Sequence, residues 1–383
     1  MKKALLLCAA LLLGGCSDSF FYGDSNRIAP KPLPRISNKV QPKVLWKQSV
    51  GDASPGYFFR PASDGDHIYA VSVDGVVMAL DRASGKVRWK KELNNAISSG
   101  IAYGNDRLLI GTKNGDLLAL SATDGRTMWR SPLGSYALSP AVVDSDMAVV
   151  RSVDGTINAF DLQDGERIWR YKLAHTPQGL RGNQTPYVGN GVVIATSDGG
   201  QMVILNQATG LLINEQQGAK QLIKEGSGLG LFDMDANVLI SPQGIMFSSV
   251  NELQIMAVDL RKGSVAWEKR GLGTNKNFAM NMHRLFVADS KDEIHALEQQ
   301  DGQERWSSKL LQGRQISSIF AVDDLIATVD REGYLHLFNE ATGEPVGQLR
   351  LGDAGASASP LIQGNEVYWQ LEDGSLVAFR IGS

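Results

Sequence analysis

Short apolar runs, separated by polar turns that contain glycine, recur from about residue 43 to the C-terminus. Met147 to Val153, Thr156 to Phe160 and Arg167 to Leu173 follow one another in this way. Each is rich in β-branched or aromatic residues and too short for an ordinary helix. Asp74-Gly75, Asn114-Gly115 and Asp154-Gly155 sit between such runs. Asp or Asn followed by Gly is a two-residue hairpin signal, because the glycine accepts the positive φ the turn needs. Ala83-Ser84-Gly85 and Ala341-Thr342-Gly343 mark a second turn. The pattern predicts an all-β chain of short antiparallel strands.

The runs belong to one repeated unit. The segment from Gly75 through Ala79, Leu80 and Asp81 to Gly85 and Trp89 returns with Ala119, Gly125 and Trp129, then with Ala159, Gly165 and Trp169. The small-residue column continues at Ile204, Ala257, Ala296, Leu337 and Ala378, with spacings of 40, 40, 45, 53, 39, 41 and 41. A glycine follows six residues later at Gly210, Gly263, Gly302 and Gly343, and the tenth position reads Asn214, Trp267, Trp306 and Gly347. Four strands per period of about 40 residues is the signature of a propeller blade. The alanine column is read as small so that neighbouring blades can approach, and the tryptophans as wedges between blades rather than cofactor stackers. The last repeat lacks a fourth strand, and Val44-Leu45-Trp46-Lys47 resembles it. The expectation is therefore an eight-bladed β-propeller of four-stranded antiparallel blades over residues 43–383, its ring closed by the N-terminal strand.

The N-terminus reads as an address. Lys2 and Lys3 precede an apolar run from Ala4 to Leu13, which ends in Leu13-Gly14-Gly15-Cys16. The run falls short of the ~20 residues that span a bilayer and suits a signal peptide. Its end resembles a lipobox, which implies removal of residues 1–15 and lipidation of Cys16. That resemblance, with Ser17 rather than Asp after the cysteine, points to the outer membrane, lipid-anchored on the periplasmic side. Residues 16–42 carry Pro30, Pro32, Pro34 and Pro42 without apolar periodicity and read as a tether.

Composition narrows the chemistry. Lys and Arg number 38 against 41 Asp and Glu, a formal charge of −3, which becomes −5 without Lys2 and Lys3. No broad basic surface follows, so no nucleic-acid partner is expected. Both cysteines, Cys8 and Cys16, lie in the first sixteen residues, leaving the body without a disulfide or a cysteine nucleophile. Gly355-Ala356-Ser357-Ala358-Ser359 lacks the closing glycine of a nucleophile elbow. Gly226-Ser227-Gly228-Leu229-Gly230 has neither dinucleotide spacing nor a βαβ setting. Asp144-Ser145-Asp146 and Asp323-Asp324 read as turns, Trp369 as blade core, and His295 and His336 as solvated or channel-facing positions.

The Ala-x-Asp-x3-Gly-x3-Trp pattern at 79–89 resembles the tryptophan-docking repeat of quinoprotein dehydrogenases. With the lipobox and the proline-rich tether, the whole chain resembles the BamB family, lipoprotein propellers of the bacterial outer-membrane β-barrel assembly machinery. The first resemblance keeps a periplasmic pyrroloquinoline-quinone-dependent dehydrogenase as the alternative. That alternative implies a tryptophan floor, a Ca²⁺ site and, in many members, an adjacent cysteine pair, which this body lacks. The second implies a non-enzymatic scaffold with no cofactor, metal or catalytic residue. It would assist folding and insertion of β-barrel proteins by binding the periplasmic domains of the central barrel-forming subunit.

The departures from the period suggest where that partner binds. The spacings of 45 and 53 place insertions after the fourth strands of two neighbouring blades. The first surrounds Leu180 and Arg181, and the second ends near Asp233 and Asp235. In the family, Leu-Arg-Gly and Asp-x-Asp motifs in such loops bind the central subunit. The resemblance therefore implies a partner site of Leu180, Arg181, Asp233 and Asp235. Gln178 stands where the family often has leucine and is left out of the core site. Lys220 to Glu225 is read as one short helical turn. Unfolded outer-membrane proteins are a second expected partner, received at an open blade edge.

Overall fold

The structure is a computed structural model that describes residues 28–52, 57–173, 184–196, 201–217, 237–250 and 254–382. These residues form eight four-stranded antiparallel sheets and no helix. The sheets are arranged as an eight-bladed β-propeller. Seven blades are consecutive in sequence, and blade 1 consists of Ala62–Ser63, His67–Val71, Val76–Asp81 and Val87–Glu92. In the eighth, Leu361–Gln363, Glu366–Gln370 and Ser375–Arg380 are completed by Lys43–Ser49 from the N-terminus. That strand pairs from Lys43 opposite Arg380 to Ser49 opposite Ser375. Closure of this kind leaves no sheet edge at a chain end for another copy to extend.

The tryptophans wedge between blades, as the repeat predicts. Trp129 on the outer strand of blade 2 lies against Gly165 in the outer turn of blade 3, where an added Cβ would come within 2.5 Å of the ring. Gly165 also has a φ of +76°, so the position suits glycine on both counts. The Trp129 indole N–H donates to the Leu162 carbonyl at 3.1 Å. Trp46, Trp89, Trp169, Trp267 and Trp306 repeat the arrangement, donating to carbonyls of Arg82, Ala122, Gln207, Gln299 and Glu340 at 2.7–2.9 Å.

The alanine column serves two contacts, of which only the approach of the neighbouring blade was expected. Ala79, Ala119, Ala159, Ala257, Ala296 and Ala378 sit directly across from Trp89, Trp129, Trp169, Trp267, Trp306 and Trp46 within their own blades. The alanine makes room for its own blade's indole and also packs against the next blade: Ala79 clusters with Leu108 and Ile110 of blade 2, and Ala119 with Ala148 and Phe160 of blade 3. Where the tryptophan is absent, the small residue is too: Ile204 faces Asn214 and Leu337 faces Gly347. A small residue stands across from each indole and a larger one where the indole is missing, as close packing demands.

The two junctions without tryptophan are resolved differently. Between blades 7 and 8, the N-terminal segment fills the place. Lys39 and Val40 donate from their amides to the Val346 carbonyl at 2.8 and 2.9 Å, and Asn38 exchanges hydrogen bonds with the Gln348 backbone at 2.9 Å. Val40 joins the blade 7 and 8 core. Further back, Lys31 N–H reaches the Gln312 carbonyl at 3.1 Å, and Arg314 donates to the Lys31 carbonyl at 3.0 Å. Residues 28–42 therefore lie along blades 6 and 7 instead of hanging as free coil. Between blades 4 and 5 nothing substitutes among the described residues, and none of these comes near Gly263 where the other turn glycines meet an indole.

Two outcomes follow from this packing. Trp129→Ala should lower stability by about 3–5 kcal/mol. Asn214→Trp should restore the missing dock on Gly263 and raise the urea midpoint. Equilibrium unfolding of both variants checks this, and a lower midpoint for Asn214→Trp would mean that Ile204 blocks the ring.

Candidate functional site

The loops leading from each outer strand to the next blade share one face with the hairpins between the second and third strands. Gly75 of a hairpin packs on the Leu93 and Asn95 carbonyls of such a loop, and Gly333 on those of Gly352 and Ala354. Both long loops belong to this class. The first leaves after the outer strand Arg167–Lys172 and returns at Gln184. The second leaves after Leu212–Gln217 and returns at Asn237. Leu180, Arg181, Asp233 and Asp235 lie outside the described residues, as do Gln178, the 220–225 turn and Cys16.

The return points of the two loops are bonded to each other. Thr185 N–H donates to Asn237 Oδ1 at 2.8 Å, and Asn237 N–H donates to Asn277 Oδ1 at 3.2 Å. Asn277 then donates to Ser318 Oγ at 3.1 Å and to Ser359 Oγ at 2.9 Å. Each of these residues stands two positions before the innermost strand of its blade, in blades 4 to 8. They form a polar belt at the mouth of the central channel, a cavity of about 1170 Å³. Arg151, buried at the end of the blade 3 strand Met147–Arg151, donates to the Gln184 side-chain carbonyl beneath the first loop. The belt fixes both loop bases on neighbouring blades.

The channel lining contains Arg60, Lys276, Arg331 and Glu372 among many short polar side chains. No tryptophan lines it among the described residues. Trp369, expected as core, is fully buried, donates to the Ala358 carbonyl at 2.7 Å and meets Phe320 edge-on at 5.2 Å. Ser145 and Asp323 take left-handed conformations in the turns that the sequence marked.

The histidines differ from expectation. His336 is neither solvated nor in the channel: it is fully buried, with Nε2 2.8 Å from Asp330 Oδ2. His295 is also buried, beside Glu304. Both point into the blade face where the preceding hairpin supplies a carboxylate, a pairing that strand alternation alone does not reveal. Arg314 closes the blade 7 cluster, donating to Asp330 Oδ2 at 2.8 Å and to Glu332 at 2.6 Å. Burial pushes the Asp330 carboxyl up, but His336, the Tyr334 amide and Arg314 outweigh it and hold it below its ordinary value.

A feature that the repeat analysis missed is an apolar surface on blade 4. Leu211, Leu212 and Ile213 are 69%, 46% and 56% exposed at the start of the outer strand. The signal was present in the sequence: three apolar residues run together directly before Asn214, where other blades mix charge with tryptophan.

Comparison with known proteins agrees with this architecture. A family model described as outer membrane protein assembly factor BamB matches residues 38–99, 73–308 and 290–383. The outer membrane protein assembly factor BamB of Pseudomonas aeruginosa is 39% identical over 387 residues, covering 99% of each chain. The crystal structure of BamB from Moraxella catarrhalis has a TM-score of 0.77 at 19% identity, covering 89% of this chain and all of that one. The quinohemoprotein alcohol dehydrogenase of Comamonas testosteroni shares the fold alone, with a TM-score of 0.69 at 12% identity over 88% of this chain and 76% of that one.

Arg314→Met should cost about 3–5 kcal/mol by leaving Asp330 buried without its cation. By freeing the Lys31 carbonyl it should also speed tryptic cleavage after Arg35. Because folding depresses the Asp330 pKa, its contribution is complete above about pH 4 and is lost as pH falls through the lower folded value. Urea midpoints between pH 7 and pH 2, wild type against Asp330→Asn, check the sign.

Proposed function

This chain belongs to the BamB family of outer membrane protein assembly factors, and we propose that it works there as a non-enzymatic scaffold. In this reading residues 1–15 are a signal peptide and Cys16 carries the lipid that holds the body on the periplasmic side of the outer membrane. Residue 28 lies against Gly313 on the face of the two long loops. The chain between Cys16 and that point reaches at most about 40 Å when extended. The loop-bearing face therefore stays within reach of the membrane in which barrels assemble.

The partner is the central barrel-forming subunit, held through its periplasmic domains. Leu180 and Arg181 of the first loop supply the apolar and cationic anchors, and Asp233 and Asp235 of the second supply carboxylates. The observation that carries this reading is the belt joining Thr185 to Asn237, which makes the bases of the two loops one surface. A second role, receiving unfolded barrel strands, is favoured by the exposed Leu211, Leu212 and Ile213 on an outer strand. An extended segment added there would gain backbone hydrogen bonds and cover apolar side chains.

The full-length chain, purified from detergent-solubilised envelopes, should bring down the barrel-forming subunit. Arg181→Glu should lose most of that recovery while keeping the wild-type circular dichroism spectrum and thermal midpoint. Equal recovery by both would move the site elsewhere on the ring, and unfolding of the variant would make Arg181 structural.

A further inference from the structure

Blade 6 holds a cluster that the assembly role does not use. The hairpin between the strands Arg284–Ala288 and Ile294–Glu298 supplies Asp289 and Glu293, and the second strand supplies His295. One ligand atom from each of the three lies within 4.8 Å of the others. Asp289 Oδ1 is engaged by the amides of Lys291 and Glu293 at 2.9 and 2.8 Å. Its Oδ2 faces His295 Nε2 at 3.8 Å. Two carboxylates in a hairpin are ordinary turn chemistry. The independent observation is His295, which is 9% exposed and whose buried Nε2 has no hydrogen-bond partner. An unpaired buried ring nitrogen is costly and calls for an occupant. Its other nitrogen, Nδ1, is 3.1 Å from Glu304 Oε2. That carboxylate–imidazole contact is the one that orients metal-binding histidines.

Blade 7 provides an internal control. Asp330 and His336 occupy the positions of Asp289 and His295, and their side chains close to 2.8 Å. Arg314 supplies the cation there, at 2.7 Å from Asp330. Counting back equally from the belt residues Ser318 and Asn277, the place of Arg314 falls to Gly273 in blade 6, which brings no charge. Lys276, the nearest inner lysine, is spent on Asp292 at 2.6 Å. Lys309 and Lys269 stand off at 3.8 Å from Glu293 and Glu304. The blade 6 cluster thus has a gap about 1 Å wider and lacks the cation that fills its counterpart.

We propose that Asp289, Glu293 and His295 bind a divalent transition-metal ion of the zinc type, with Glu304 as the positioning residue for His295. Imidazole with carboxylates selects such an ion over magnesium or calcium. Zinc bonds of about 2.0–2.2 Å place tetrahedral ligand atoms roughly 3.4 Å apart. Side-chain rotation can close the present spacing to that value, leaving a fourth position for water.

The test is a zinc titration of the chelator-stripped full-length chain against a chromophoric chelator. One equivalent should bind and raise the thermal midpoint. His295→Gln should lower affinity by about 100-fold or more, and Glu304→Gln by about 10–100-fold. His283→Gln, an exposed histidine of the same blade, should bind as wild type. Absence of binding at 100-micromolar zinc, on the order of a weak surface contact, or wild-type affinity in His295→Gln, overturns the proposal. If His295→Gln does not fold, Asp289→Asn and Glu293→Gln decide: each must weaken binding, and wild-type affinity in both overturns it.

Discussion

An indole from one blade, seated on the turn glycine of the next, is the contact on which the ring depends. Each such ring can bury on the order of 150–250 Å² and has one polar atom to satisfy. The carbonyl three residues before the glycine satisfies it at every dock. One contact thereby fixes distance, tilt and register between neighbouring blades. A ring built from nearest-neighbour contacts is only as closed as its last junction. Trp46 therefore matters beyond its own blade: it comes from the N-terminal strand and docks on Gly85 of blade 1.

The same contact explains where the ring is free to vary. Blades 7 and 8 have no indole between them, and the N-terminal segment takes over with paired amides on the Val346 carbonyl. Blades 4 and 5 have neither an indole nor, among the described residues, a substitute. This junction lies beside the two long loops and beneath the exposed apolar triplet of blade 4. A junction relieved of docking can spend its sequence on other contacts. The belt through Thr185, Asn237 and Asn277 ties blades 4, 5 and 6 together on the inner side, including the junction that lacks an indole.

Much of this was legible in the sequence because the repeat displays its own chemistry. The period gave blade number, the Trp–Gly column gave the wedge, and the incomplete last unit gave the closing strand. The second reason for the alanines, the indole across the strand pair, was not legible. It depends on which residue lies across the strand pair, and a bulge after each alanine shifts that register. The docking of residues 28–42 was equally hidden, since most of its bonds end on backbone groups and its side-chain contributors, Asn38, Val40 and Arg314, form no pattern along the chain. The buried histidines were missed because alternation reports the face of a strand and not what the adjacent hairpin places there. The partner motifs were legible only by resemblance, and the described residues supply their bases: Thr185 and Asn237, bound into one belt.

A repeat fold also lets one position be compared with itself under different fillings. The Asp–His pair of blade 7 is closed and neutralised by Arg314, and that same guanidinium holds the Lys31 carbonyl. One cation therefore couples the hairpin of blade 7 to the segment leading toward the N-terminus. Blade 6 has the pair without the arginine, and its N-terminal contact is made instead by the backbone of the following loop at Gln312. The carboxylates of blade 6 were thus left without the partner that makes burial favourable in blade 7. Glu293 and Glu304 meet lysines only at 3.8 Å, so the burial that Arg314 offsets in blade 7 is less closely offset in blade 6. A divalent ion seated among Asp289, Glu293 and His295 would supply in blade 6 the close positive charge that Arg314 supplies in blade 7.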